Sequence, residues 1–181
     1  MRRRLGTSLY AGLLFTVLGL VAWATGQPFV FPSLGPSAFV LAFDRRSERE
    51  RAVRVVASHL IGGVAGLAAW TVIADGAALT ATPPAFSPEG FRLTASAVAS
   101  LVATSWAMIA TDWVHPPACA TTLIVSLGLL STPAEVAIIV ASVTVLVAFH
   151  AAVILAFKRL VGDAHPLYGR DDADEADDAE R

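Results

Sequence analysis

The chain predicts an all-α membrane protein: a helical bundle with four long transmembrane helices and two broken half-helices, arranged as a 3+3 inverted-topology repeat. Three observations predict it. The 181 residues are 55% hydrophobic and only 15% charged, with mean hydropathy +0.64, whereas soluble domains carry about 25% charged residues. The charges gather at Arg2 to Arg4, Asp44 to Arg54 and the tail from Lys158, leaving charge-free stretches long enough to span a bilayer. Two short apolar stretches opened by prolines, Phe31-Pro32-Ser33-Leu34-Gly35-Pro36-Ser37-Ala38 and His115-Pro116-Pro117-Ala118-Cys119-Ala120, sit at matching places in the two halves. Paired interruptions of this kind point to a transporter's substrate site.

The long spans come first. Residues 5–25, 52–74, 93–110 and 135–157 are apolar, and each comes close to the roughly 20 residues that cross a bilayer core. Their polar positions are mostly Ala, Gly, Ser and Thr, which let membrane helices approach closely. Ser58-His59-Leu60-Ile61-Gly62-Gly63 in the second span is such a stretch. Glu135, beside Pro133, opens the fourth span as a cap. The first span follows MRRR without a small-residue cleavage site, so it reads as a retained helix rather than a signal peptide.

Arginine sets the orientation. Arg2, Arg3 and Arg4, the loop holding Arg45, Arg46, Arg49, Arg51 and Arg54, and Lys158 with Arg159 place both termini and that loop in the cytoplasm. The first span leaves the cytoplasm, so residues 26–43 must return the chain across the membrane. A helix over 36–43 supplies only about 12 Å, and an extended stretch over 26–35 supplies the rest at about 3.3 Å per residue. Residues 111–130 must likewise return outward before the fourth span. The alternative is a re-entrant hairpin in each half. The expected organisation is a transmembrane domain over 1–160, with repeats at about 5–74 and 93–157, and an acidic disordered cytoplasmic tail over 161–181. That tail ends in DDADEADDAER, too acidic to bury.

Chemistry is expected where the half-helices begin. Pro36 and Pro117 suit a first helical position because the missing N–H is not needed there. Ser37-Ala38 and Ala118-Cys119 would then offer free N–H groups, and a helix N-terminus attracts anions. Ser33, Gly35 and Ser37 in the first half, and His115, Pro116, Thr121 and Thr122 in the second, complete the expected substrate-binding set. Ionisable groups inside a membrane are functional by default, so His59, Asp112 and His150 are expected as a proton relay or as polar partners. The competing reading is that these side chains only satisfy irregular backbone and helix packing.

Other classes find no support. No metal-ligand, nucleophile-elbow or phosphate-loop pattern occurs, so no enzyme, metal or cofactor is expected. The lone Cys119 permits no intrachain disulfide. No nucleic-acid partner is expected.

FPSLGPSA at 31–38, SHLIGGVAG at 58–66 and HPPA at 115–118 resemble, in this order, signatures of the HPP family of small integral membrane proteins, named for a His-Pro-Pro motif. The resemblance covers about residues 5–157. Cys119 stands where that family usually has glycine, which bears on close packing at the half-helix start. Some plastid and cyanobacterial members are linked to nitrite transport. The resemblance therefore implies a carrier or channel for nitrite or a similar small inorganic anion, in the cytoplasmic membrane. So short a chain leaves little room for a sealed pathway, so a homodimer or higher homo-oligomer is expected. The alternative function is a membrane scaffold or sensor subunit acting through its tail.

Overall fold

The computed structural model describes residues 2–43 and 49–161. The acidic tail from 162 and loop residues Asp44, Arg45 and Arg46 lie outside the described residues. Those described form an all-helical bundle: α1 (Arg2–Thr25), α2 (Leu34–Phe43), α3 (Arg49–Ala69, continued by a π-helical turn Trp70–Ala74), α4 (Pro88–Ala110), α5 (Ala118–Ser126) and α6 (Pro133–Val161). Four of these, α1, α3 with its π turn, α4 and α6, are long and apolar enough to cross a membrane. The two short helices fall in the two proline-opened stretches.

Local chemistry explains the boundaries. Gly26 ends α1 with φ +66°, its N–H donating to Ala22 O at 2.9 Å, a glycine-terminated helix end. Ser87 caps α4: its Oγ accepts from Gly90 N–H at 3.2 Å, and Pro88 fills the first position. At α6 the expected role of Glu135 takes the form of a capping box. Thr132 N–H and its hydroxyl donate to Glu135 Oε2 at 2.9 and 2.8 Å, and Glu135 N–H donates back to Thr132 Oγ1 at 3.3 Å.

The packing centres on α3, which lies against α4, α5 and α6, while α1 packs on α2 and α6. Glycine makes this approach possible. A Cβ on Gly62 would lie 2.8 Å from Ala118 O and Thr122 Oγ1, and one on Gly66 would lie 2.8 Å from Thr122 O and 2.9 Å from Val125 Cβ. On the adjacent face, a Cβ on Gly63 would lie 2.7 Å from Val136 Cγ1 of α6. Gly62 and Gly66 thus form a Gly-x-x-x-Gly seam that lets the α5 backbone sit directly on α3. A second, apolar layer fills the α1–α2–α6 side, with Leu14, Leu18, Leu34, Leu41, Ile139 and Leu146 buried.

The course of the second short segment follows from its two ends. Before α5, Ser58 Oγ donates to Trp113 O at 2.5 Å. After α5, Leu79 N–H donates to Leu127 O at 2.9 Å, in the connection beyond the π turn. From Ser58 to Ala74 the helix axis advances about 24 Å at helical rise, most of a hydrocarbon core of about 30 Å. Residues 113–127 therefore travel along α3 in its own direction and do not double back as a hairpin.

Candidate functional site

Two short helices build the site, and their first turns differ from the sequence expectation. α2 begins at Leu34, whose N–H donates to Phe31 O at 3.0 Å. Pro36 is thus its third residue rather than its first, still within the turn where an N–H is dispensable. α5 begins at Ala118, so Pro117 is its N-cap rather than the first helical residue expected of it. Its leading N–H groups, however, are taken. Ala118, Cys119 and Ala120 donate to the carbonyls of His115, Pro116 and Pro117 at 2.9, 3.0 and 3.1 Å. The expectation of free N–H groups at Ala118 and Cys119 is therefore corrected. Consecutive prolines hold the preceding backbone in a turn, so a tight i to i+3 pattern satisfies the donors that an open helix end would leave exposed.

Side chains supply the polar groups instead. Ser37 Oγ on α2 lies 3.0 Å from His59 Nε2 on α3, 3.0 Å from His115 Nε2 ahead of α5, and 3.2 Å from Ser33 O. His59 Nδ1 lies 2.7 Å from Thr121 Oγ1 on α5. The two imidazoles are 5.5 Å apart between centroids, tilted by 52°. Thr122, next along α5, donates toward Ala118 O at 3.4 Å and lies 2.9 Å from Thr104 Oγ1 on α4. Ser37, His59, Thr104, His115, Thr121 and Thr122 are all buried. One network thus joins α2, α3 and the α5 segment, and a separate hydroxyl pair ties α4 to α5, where a membrane bundle would otherwise be apolar.

A serine hydroxyl has one hydrogen and two lone pairs, so the single Ser37 proton can go to only one of its three neighbours. At least one imidazole must therefore present an N–H to Ser37 Oγ. The ring tautomers are set jointly rather than residue by residue.

A cavity of about 480 Å³ opens beside this network, lined by Pro36, Val40 and Leu41 of α2, Arg54 and Val55 of α3, and Val114 to Pro117. Arg54 and His115 are its lining residues with polar side chains; the others are apolar. Nearby, Ser33 is fully buried and its Oγ has no hydrogen-bond partner.

The tripeptide His115-Pro116-Pro117 thus holds one ring of the network and part of the cavity wall at once. A family model described as HPP, transmembrane region, matches residues 1–166. The chain belongs to the HPP transmembrane family. No match was found among curated proteins or among solved structures.

In this HPP protein the other expected residues are placed as follows. Ala38 and Ala118 are buried packing positions, Gly35 is half-buried, Pro36 and Pro116 are exposed at the cavity, and Cys119 is a half-buried free thiol. Asp112 is exposed, at φ +56°, and no hydrogen bond or ion pair joins it to His115 among the described residues. It is the left-handed residue that ends α4, with Trp113 N–H donating back to Met108 O at 3.0 Å. His150 pairs with a hydroxyl rather than with His59: Tyr10 OH lies 3.0 Å from its Nδ1, at the α1–α6 contact.

Four participants escape sequence reasoning: Tyr10, Arg54 as a cavity residue, Ser58 and Thr104. Thr104 carried a signal. Ser96, Ser100 and Thr104 recur every four residues along α4 and all are buried, a hydroxyl stripe of the kind that joins membrane helices.

Proposed function

We propose that this HPP protein is a transporter or channel for a small inorganic anion, nitrite being the substrate that the family resemblance suggests. The observation that carries the reading is the cavity holding Arg54 and His115 against the buried Ser37–His59–His115 network. An apolar pocket with few convergent polar groups is the usual form of a small-ligand site. Arg54 offers a permanent positive charge with several N–H donors, and His115 a ring that donates or accepts. The anion is held by these side chains at the mouths of α2 and α5, rather than by free helix N-termini.

The same reading takes the two halves as inverted repeats, with α2 and α5 as the discontinuous elements on which transporter sites are built. It places both termini and the arginine-rich loop in the cytoplasm, following the positive-inside rule. A homo-oligomer completes the assembly. Trp23, Phe91 and Trp106 expose large apolar surfaces that face lipid or a second copy.

Purified protein in liposomes is expected to pass nitrite well above protein-free liposomes, with other small monovalent anions competing. Absence of flux for every small anion tried contradicts the reading.

A further inference from the structure

We propose that His115, Ser37 and His59 form a proton relay leading from the cavity into the bundle centre, so that the anion crosses together with a proton. This rests on the anion reading above and names its coupling ion. The relay is carried by one unbroken sequence of short contacts. His115 lines the cavity; its Nε2 is 3.0 Å from Ser37 Oγ, which is 3.0 Å from His59 Nε2, and His59 Nδ1 is 2.7 Å from Thr121 Oγ1.

One self-consistent arrangement points every hydrogen the same way. His115 Nε2–H donates to Ser37, Ser37 O–H donates to His59 Nε2, and His59 Nδ1–H donates to Thr121. His115 Nδ1 then holds a free lone pair. A proton arriving there from cavity water makes His115 an imidazolium. Its Nε2 proton passes to Ser37 Oγ as the Ser37 proton passes to His59 Nε2. His115 is left neutral and protonated at Nδ1, Ser37 keeps one hydrogen, and His59 becomes the imidazolium. One positive charge has moved inward and no atom is gained or lost.

The chemistry of the permeant explains why such a charge is wanted. A bare anion inside an apolar bundle is costly unless paired. Around the relay the titratable groups are few. α3 contributes Arg54 at the cavity wall. The segment before α5 contributes exposed Asp112, and α5 contributes half-buried Cys119. The α1–α6 contact contributes Tyr10 and His150, engaged with each other. α2 contributes none, and the charged residues of α4, Glu89 and Arg92, lie at its far end. Among the described residues Arg54 is the fixed cation lining the cavity, and a proton on His59 supplies a counter-charge deeper in the bundle.

Two arms test the relay on the full-length protein in lipid nanodiscs and vesicles. In the first, 15N-labelled histidine signals are followed by NMR as pH is lowered without any anion. His115 and His59 are expected to shift together, with one midpoint. In Ser37→Ala they are expected to separate by about one pH unit or more, and in Ser37→Thr, which keeps the hydroxyl, to stay joined. If Ser37→Ala does not fold, His115→Gln is expected to displace the His59 midpoint instead. Independent midpoints in the unaltered protein, or no response of either ring, overturn the relay.

In the second arm, pyranine inside vesicles reports acidification during nitrite entry. About one proton per nitrite is expected, with no effect of a potassium–valinomycin potential on the rate. Nitrite entry without protons overturns the coupling while leaving the anion reading intact. No nitrite entry at all defeats the anion reading, and the relay is then decided by the histidine signals.

Discussion

Gly128→Ala is expected to destabilise the protein by about 3 kcal/mol, the largest effect of any single-methyl addition. Gly128 follows α5 with φ +75°, a left-handed conformation that costs an L-residue roughly 1–2 kcal/mol. The added Cβ would also overlap Ala77 O and come within 2.8 Å of Trp70 Nε1 and 2.9 Å of Ala78 Cα. These neighbours cannot easily yield, because Trp70 Nε1–H donates to Ala77 O at 2.8 Å and Leu79 N–H holds Leu127 O. Overpacking of this kind adds about 1–3 kcal/mol. The loop would lift off the π turn of α3, and α5 would lose the anchor that fixes its C-terminal end. Thermal unfolding in detergent micelles measures this directly. A midpoint within a degree or two of the unaltered protein would mean that the junction is not tightly docked.

Ser37→Ala is expected to lower nitrite flux at least ~10-fold while leaving the protein folded and extractable as a single species. The methyl side chain occupies less space than the hydroxyl it replaces, so packing survives. What is lost is the oxygen shared by His59 Nε2 and His115 Nε2. A buried polar group without its partner costs about 1–3 kcal/mol, and every 1.4 kcal/mol is tenfold. The rings are freed to turn, and the site loses its fixed donor pattern. Ser37→Leu removes the hydroxyl and also crowds a fully buried position, and is expected to abolish flux. Ser37→Thr keeps the oxygen and is expected to retain more flux than either. Equal flux in Ser37→Ala and the unaltered protein would remove Ser37 from the site.

Much of this architecture was legible in the sequence because bilayer physics writes in long, coarse strokes. The four spans follow from charge-free length, and their helices extend only a few residues beyond the apolar cores: α4 starts at Pro88 and α6 at Pro133. The two proline clusters mark the short helices because proline restricts where a helix can begin. Ser37, His115 and Thr121 stood out as polar groups at those interruptions.

Their partnerships were not legible. Ser37 and His115 lie 78 residues apart and Tyr10 and His150 lie 140 apart, and nothing local selects one pairing over another. Arg54 read only as a charge that sets orientation, yet its place on α3 makes it one of the residues lining the cavity. The satisfied N–H groups at the start of α5 depend on backbone torsions across two prolines, which composition does not reveal. The Gly62–Gly66 seam was visible as small residues, but which helix it would receive was not.

The central claim is that the anion occupies the cavity beside Arg54 and His115. Labelling of a cavity cysteine tests it most directly. Val40 lines that cavity and is exposed, so Val40→Cys in a Cys119→Ala background gives one reactive thiol at the site. Nitrite is expected to slow its reaction with a charged thiol reagent in a concentration-dependent way, and His115→Gln is expected to weaken that protection. An unchanged labelling rate at nitrite concentrations that saturate flux would contradict the account and place the anion elsewhere.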